Sequence, residues 1–535
     1  MQKLFINGNV YTMDKNNSRA EAFVVENNRF LAVGSTNEIL EYKTKETEVI
    51  DLQGVTVLPG LNDSHIHLMG VGRSLEQVNL ANTTSRAELV QKCVEFIKDN
   101  QDLDWILGRG WNQAYFADRK MPSRHDLDKV CSHKPVYLRR ACGHISVANT
   151  CALEMAGLMK GEVQQPNGGH IDLDEKGVPT GILRENACGI VAHLIPKAGK
   201  EDYKRCIIKG AKLAASLGLT SVQSNDLGSI NAMDTILQAY QEVQTEGNLP
   251  IRVNHQVLLG NPQEIDSYME IKKSYNFPEH TVTYGPLKLM TDGSLGGRTA
   301  LMHAPYSDDY TTSGMSTMSQ EEINETFKCA HSYGLQLAAH AIGDLAIQKL
   351  LNAYKIILTE SPVEDARPRI IHAQITNPHI LEQMKQLEVV CDIQPIFVPT
   401  DMYFVEQRLG KARANQTYPW KTMREMGIVT AGGSDSPVEP CNPILGIAAA
   451  VTRQDINNMP ENGWRPEERL TPLEAIELFT KGSAYAEKAE KHKGEIKKGL
   501  LADFITLNKD IVTINHQEIK NTKVTATYVG GKQVY

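Results

Sequence analysis

The stretch Val57–Met69, VLPGLNDSHIHLM, decides how the rest of the chain is read. An apolar lead (Val55, Val57, Leu58) passes through Pro59-Gly60 into Asp63, His65 and His67. In a β-strand the side-chain period is two, so His65 and His67 project to the same side of the sheet. Two imidazoles side by side at a strand end make half of a chelate for a divalent metal. A bare His-x-His pair is common by chance. The reading therefore depends on further ligands at the ends of later strands.

Downstream, strand-like and helix-like segments alternate, the pattern of βα units and a parallel sheet. Strands are expected at 220–226, 251–259, 285–293, 335–344, 368–374, 389–395 and 428–435, with helices over 202–217, 320–333, 346–358 and 377–387. With the His-x-His strand these make the count of a closed (β/α)8 TIM-like barrel. An open doubly wound sheet is the alternative, but no Gly-x-Gly-x-x-Gly turn follows the first strand. Residues from about 70 to 200 break the repeat with DWILGRGWN, PVYLRRACGHISVAN and the Gly-rich QQPNGGHIDLDEKGVPTG. They read as an insertion after barrel strand 1, expected to wall the substrate pocket, with 166–181 as a hairpin.

Both ends of the chain are β-rich, with LFING, NVYTM and AFVVENNRFLAVG at one end and ADFITLN and VTATYVGGKQVY at the other. Neither end alone could bury a core. They predict one small composite β-sandwich from 1–57 and 492–535, bracketing a barrel over 58–491.

Composition narrows the function classes. The 535 residues are 41% hydrophobic and 22% charged, the profile of an ordinary globular protein. A net charge of −8 argues against a nucleic-acid partner, and no lysine or arginine run marks a membrane surface. No apolar stretch is long enough to span a bilayer, and MQKLFINGNVYTMDK lacks the features of a signal peptide. The nine cysteines are odd in number and form no Cys-x-x-Cys pair, which fits buried thiols in a reducing compartment. The cytoplasm is the expected location and a small molecule the expected partner, with a homodimer as the assembly considered.

A barrel enzyme gathers its functional groups at the C-terminal ends of its strands. Besides His65 and His67, Lys288 lies in the fourth expected strand, His340 ends the fifth, His372 the sixth and Asp435 the eighth. Each sits in an apolar run, where an unpaired ionisable group would be costly. Taken singly, each is more often a satisfied core residue than a ligand. One face collecting all of them is much harder to reach by chance.

PGLNDSHIHL, LKLMTDGSLGGRTA, LAAHAIGD, IIHAQ and GGSDSPVEP together resemble the metal-dependent amidohydrolase superfamily, and within it the branch of YtcJ-like hydrolases and N-substituted formamide deformylases. The resemblance runs over nearly the whole chain. It implies a binuclear centre, usually zinc, in which His65, His67 and Asp435 hold the more buried ion and His340 and His372 the second. Lys288 stands where some members carry a carboxylated lysine bridging both ions. Glu185 is a rival bridge, and a buried lysine paired with Asp292 or another carboxylate is the structural alternative.

The activity implied is cleavage of an amide or N-substituted formamide C–N bond by a metal-bound hydroxide, with Asp435 moving the proton to the leaving amine. Deamination of a heterocycle and a non-catalytic barrel scaffold are the competing readings. His144, Arg298 and Trp111 are candidates for substrate binding, and Tyr115 could join Trp111 on a pocket wall. Asp344 could orient His340 or cap the helix after it.

Overall fold

The computed structural model describes residues 2–141 and 143–535; Cys142, counted among the thiols above, lies outside the described residues. Its largest feature is an eight-stranded sheet, parallel throughout. In chain order, barrel strands 1 to 8 are Leu61–Ile66, Leu219–Leu227, Arg252–Leu258, Val282–Met290, Leu337–Ala341, Arg369–His372, Val390–Ile393 and Val429–Gly432. Each pairs with its neighbours in sequence, and the sheet curls into a barrel.

The seam between strands 8 and 1 is stitched just past the strand ends. Asp435 N–H donates to the His65 carbonyl (2.8 Å) and His67 N–H to the Ser436 carbonyl (2.9 Å). Asp63 reinforces the seam from within, accepting the backbone N–H groups of His65 (3.0 Å) and Ser434 (3.1 Å). Gly433 is required here, because a Cβ would lie 2.8 Å from the His65 nitrogen.

Helices follow the strands with local start signals. Ser319 caps Gln320–Ser332 in a reciprocal box with Glu322, and Asn377 caps Pro378–Gln386, whose proline sits in the first turn. After strand 7 the chain forms only short pieces, Val398–Asp401, Val405–Ala414 and Trp420–Glu425. Pro399, Pro419 and a left-handed Gly410 (φ 71°) prevent one continuous helix there.

The two chain ends build a four-stranded and a six-stranded sheet. In the second, Thr56–Pro59 pairs antiparallel with Phe504–Leu507, which pairs with Val524–Val529. Phe5, Phe23, Phe30, Phe504 and Tyr528 share one core, and the Phe504 and Tyr528 rings stack at 4.3 Å. Thr56–Pro59 passes through Gly60 directly into barrel strand 1, so one continuous segment serves both parts.

Residues Val71–Asp202 form a separate compact unit. It contains a six-stranded sheet with its own apolar cores, and Gly169–Leu173 and Pro179–Glu185 form an antiparallel hairpin. Among the described residues no helix is long and apolar enough to cross a membrane.

Candidate metal centre

The C-terminal ends of strands 1, 4, 5, 6 and 8 converge. Strand period two and the turn after Ile66 bring the His65 and His67 Nε2 atoms each to 3.2 Å from Asp435 Oδ1. Lys288, in strand 4, places Nζ 3.0 Å from His65 Nε2. The His372 ring lies 5.9 Å from His65 and 4.5 Å from His340, centre to centre. Among the described residues, His65, His372 and Asp435 each bring a ligand atom within 4.8 Å of the others. His372 (φ 80°) and Asp435 (φ 54°) hold left-handed backbone, a strain that surrounding structure must fix.

Burial sets the protonation states. It pushes His65 down to about 3, helped by the nearby Lys288 charge, and takes His372 well below the usual imidazole range, helped by His340. Both are therefore neutral, the form that binds metal. Burial would raise the Asp435 carboxyl, but the close His65 and His67 rings outweigh it and hold the group well below the usual range. Burial also brings Lys288 down to about 8, against the opposing pull of Asp435.

This donor set fits a divalent cation. The Nε2 atoms of His65 and His67 face one carboxylate oxygen at 3.2 Å. A nitrogen lone pair and a carboxylate oxygen at that separation repel unless a cation or a proton lies between them. Nitrogen and oxygen donors together suit a borderline ion such as zinc.

Several supporting groups carried no sequence signal beyond being polar in buried strands. His65 Nδ1 lies 2.6 Å from Gln256 Oε1, and His372 Nδ1 lies 2.7 Å from Gln394 Oε1. His340 Nε2 faces the Gly293 carbonyl (3.0 Å) and Asp292 Oδ1 (3.3 Å), leaving Nδ1 as its acceptor nitrogen. Asp292 also accepts the N–H groups of Leu301, Ile342 and Gly343, tying the loops after strands 4 and 5 together. At the end of strand 2, Ser224 and Asp226 accept the Leu68 and Met69 N–H groups, fixing the turn after His67.

Other expected site residues have different surroundings. Trp111 is wholly buried in the core of the 71–202 unit, and its indole N–H donates to the Leu138 carbonyl. Its ring packs against core side chains. Tyr115 is exposed. In the same unit His144 Nδ1 pairs with Glu185 at 3.0 Å. Arg298 makes a two-pronged ion pair with Asp308, which Arg408 also holds, so the guanidinium locks its own loop. Asp344 begins helix Asp344–Glu360 and accepts the His303 N–H (2.9 Å); Asp292, not Asp344, contacts His340. Asp292 is likewise not the partner of Lys288.

Comparison with known proteins gives a consistent picture. A family model described as "Amidohydrolase family" matches residues 48–535. The chain is 34% identical over 536 residues to YtcJ of Bacillus subtilis (strain 168), a provisionally named amidohydrolase, covering 100% of this chain and 99% of that one. It is 26% identical over 552 residues to the N-substituted formamide deformylase of Arthrobacter pascens, covering 99% and 97%. Among solved structures, an uncharacterized metal-dependent hydrolase from Pyrococcus furiosus aligns with a TM-score of 0.78 at 32% identity, over 96% of this chain and 100% of that one.

Proposed function

The chain belongs to the amidohydrolase family of metal-dependent hydrolytic enzymes, and from that premise we propose that it cleaves the C–N bond of a small amide or N-substituted formamide at a two-zinc centre. The observation that carries the reading is the meeting of His65 Nε2, His67 Nε2 and Lys288 Nζ around one Asp435 oxygen and one ring nitrogen. In this reading His65, His67 and Asp435 hold the more buried ion, and His340 and His372 the second.

Lys288 joins them as a carbamate. A protonated amine is a poor ligand, whereas a carbamate offers two anionic oxygens. Burial prepares the lysine for this, because only the uncharged amine reacts with CO2 and Lys288 is brought down to about 8. A divalent ion held by these residues would supply positive charge to acidify a water and to polarise the scissile carbonyl. The ionised Asp435 accepts a proton on its carboxylate and returns it to the leaving nitrogen. Similarity to the Arthrobacter pascens deformylase along almost the whole chain favours a formamide or amide over a heterocycle. Buried unpaired thiols, including Cys93, Cys188, Cys391 and Cys441, favour a reducing cytoplasm.

Metal analysis of protein purified with and without air, followed by a screen of N-formyl and N-acyl amines, tests the proposal. The expected result is about two zinc equivalents per chain and release of a free amine with formate or another carboxylate. Ammonia release from heterocycles by a one-metal protein, or turnover that survives chelation, would overturn it.

A further inference from the structure

Barrel strands 3 and 7 bring no expected ligand to the centre, yet Gln256 in strand 3 and Gln394 immediately after strand 7 each reach a histidine with the side-chain amide. The Gln256 and Gln394 side chains are buried, at 0% and 3% exposure, out of reach of bulk solvent. Their amide orientations are fixed from the far side. Gln256 Nε2 donates to the Ser64 carbonyl (2.8 Å), and Gln394 Nε2 donates to the Asp392 carbonyl (3.0 Å). A carbonyl accepts only, so the nitrogen must lie there and Oε1 must point the other way. In both cases Oε1 meets a histidine Nδ1, at 2.6 Å for His65 and 2.7 Å for His372. An oxygen at that distance requires Nδ1 to carry the proton.

We propose that Gln256 and Gln394 are positioning residues that hold His65 and His372 in the Nδ1–H tautomer, presenting both Nε2 lone pairs to the metal centre. Free imidazole side chains in water favour the opposite tautomer, with the proton on Nε2, so the glutamines reverse the intrinsic preference. A backbone carbonyl or a carboxylate more often plays this part. The amide gives the same directional acceptor without charge. Asp435 already sits against His65 and His67, and a carbamate on Lys288 would add another anion, so a neutral partner avoids further negative charge behind the rings. The rings are also held in rotation, because each amide is tied to a barrel strand at both ends.

The inference rests on the reading that His65 and His372 bind metal, and its test separates the two. Chelator-stripped protein is titrated with Zn2+ against a fluorescent chelator for wild type and for Gln256→Leu, Gln256→Glu, Gln394→Leu and Gln394→Glu. The leucine variants should lose about 10–100-fold in affinity, the range for an outer partner of a metal-binding histidine. The glutamate variants keep the acceptor and should bind Zn2+ more tightly than the leucine variants. A merely structural role predicts otherwise: glutamate cannot donate to the Ser64 or Asp392 carbonyl, so it would fail as badly as leucine.

Equal loss in both kinds of variant, or wild-type affinity in the leucine variants, overturns the glutamine role while leaving the metal reading intact. Failure of wild type to take up Zn2+ overturns both. Nitrogen NMR of ring-labelled, metal-free wild type, assigned with His65→Gln and His372→Gln, reads the tautomer without relying on any glutamine variant to fold. Nε2–H signals for these two rings would also overturn the proposal.

Discussion

At the scale of single residues, Asp435 is asked to do two things, to hold metal and to move a proton. Asp435→Asn keeps one oxygen donor at the same place but cannot accept a proton at neutral pH. Turnover should fall by about 10²–10⁴-fold, the usual worth of a positioned acid–base group, with metal content reduced far less. Steady-state kinetics beside metal analysis checks this, and near-normal turnover would remove the shuttle role. Lys288 gives a second prediction with a definite sign. Its amine is brought down to about 8, so the reactive uncharged form grows as pH rises through that value. At fixed dissolved CO2, stripped protein should regain metal faster at pH 9 than at pH 7, and Lys288→Ala should not respond to bicarbonate at all. The positions where the sequence places metal chemistry do converge, because a parallel barrel makes a specific demand on strand ends. Gln256 and Gln394 were not legible, since a lone amide in an apolar run looks the same whether it supports a ligand or satisfies a backbone group, and Asp292 was legible only as a possible partner of Lys288, not of His340. Trp111, an aromatic beside glycines, could be read from sequence as wall or core, and its ring lies in the core of the 71–202 unit.

At the scale of elements, the loops after strands 4 and 5 depend on one buried carboxylate. Asp292→Ala would leave the Leu301, Ile342 and Gly343 N–H groups without their acceptor, and an unsatisfied buried donor costs about 1–3 kcal/mol. A loss of about 3 kcal/mol or more in urea unfolding is expected, accompanied by weaker metal binding because His340 loses a contact. Gly343→Ala should damage the same junction without touching charge, since its Cβ would lie 2.0 Å from the Leu301 carbonyl oxygen. The eight strands were readable because parallel strands buried on both faces form short apolar runs between turn residues. The expected helix at 346–358 begins two residues earlier, at Asp344, where Gly343 ends the preceding turn. The broken helices after strand 7 left no periodic signal, because prolines and Gly410 interrupt them before a second full turn can repeat.

At the scale of the whole chain, the terminal β-structure and the barrel are bonded at defined points. Arg252, in strand 3, makes a two-pronged ion pair with Asp503 (2.6 and 2.8 Å), and both are buried. Thr527 donates to the Ala215 carbonyl from Val524–Val529, the strand paired with Phe504–Leu507. Asp503→Ala would leave a buried guanidinium uncompensated and should cost about 3–5 kcal/mol, read as a lower unfolding midpoint. The pairing of the two ends was legible from their matching β-character, since neither could close a core alone. The ion pair was not, because Arg252 and Asp503 are far apart in sequence and each is an ordinary charged residue there.

Thr56–Pro59 runs straight into the strand that carries His65, yet its partner, Phe504–Leu507, stands at the other end of the chain. During synthesis the ribosome releases the first strand long before its mate exists. Until residues 504–529 emerge, that strand waits with an open, hydrogen-bonding edge and an exposed phenylalanine cluster, the state in which nascent chains stick to one another or call on chaperones. A chain lacking Phe504–Leu507 would be stranded in that condition, its unpaired edge one glycine away from the barrel strand that carries His65.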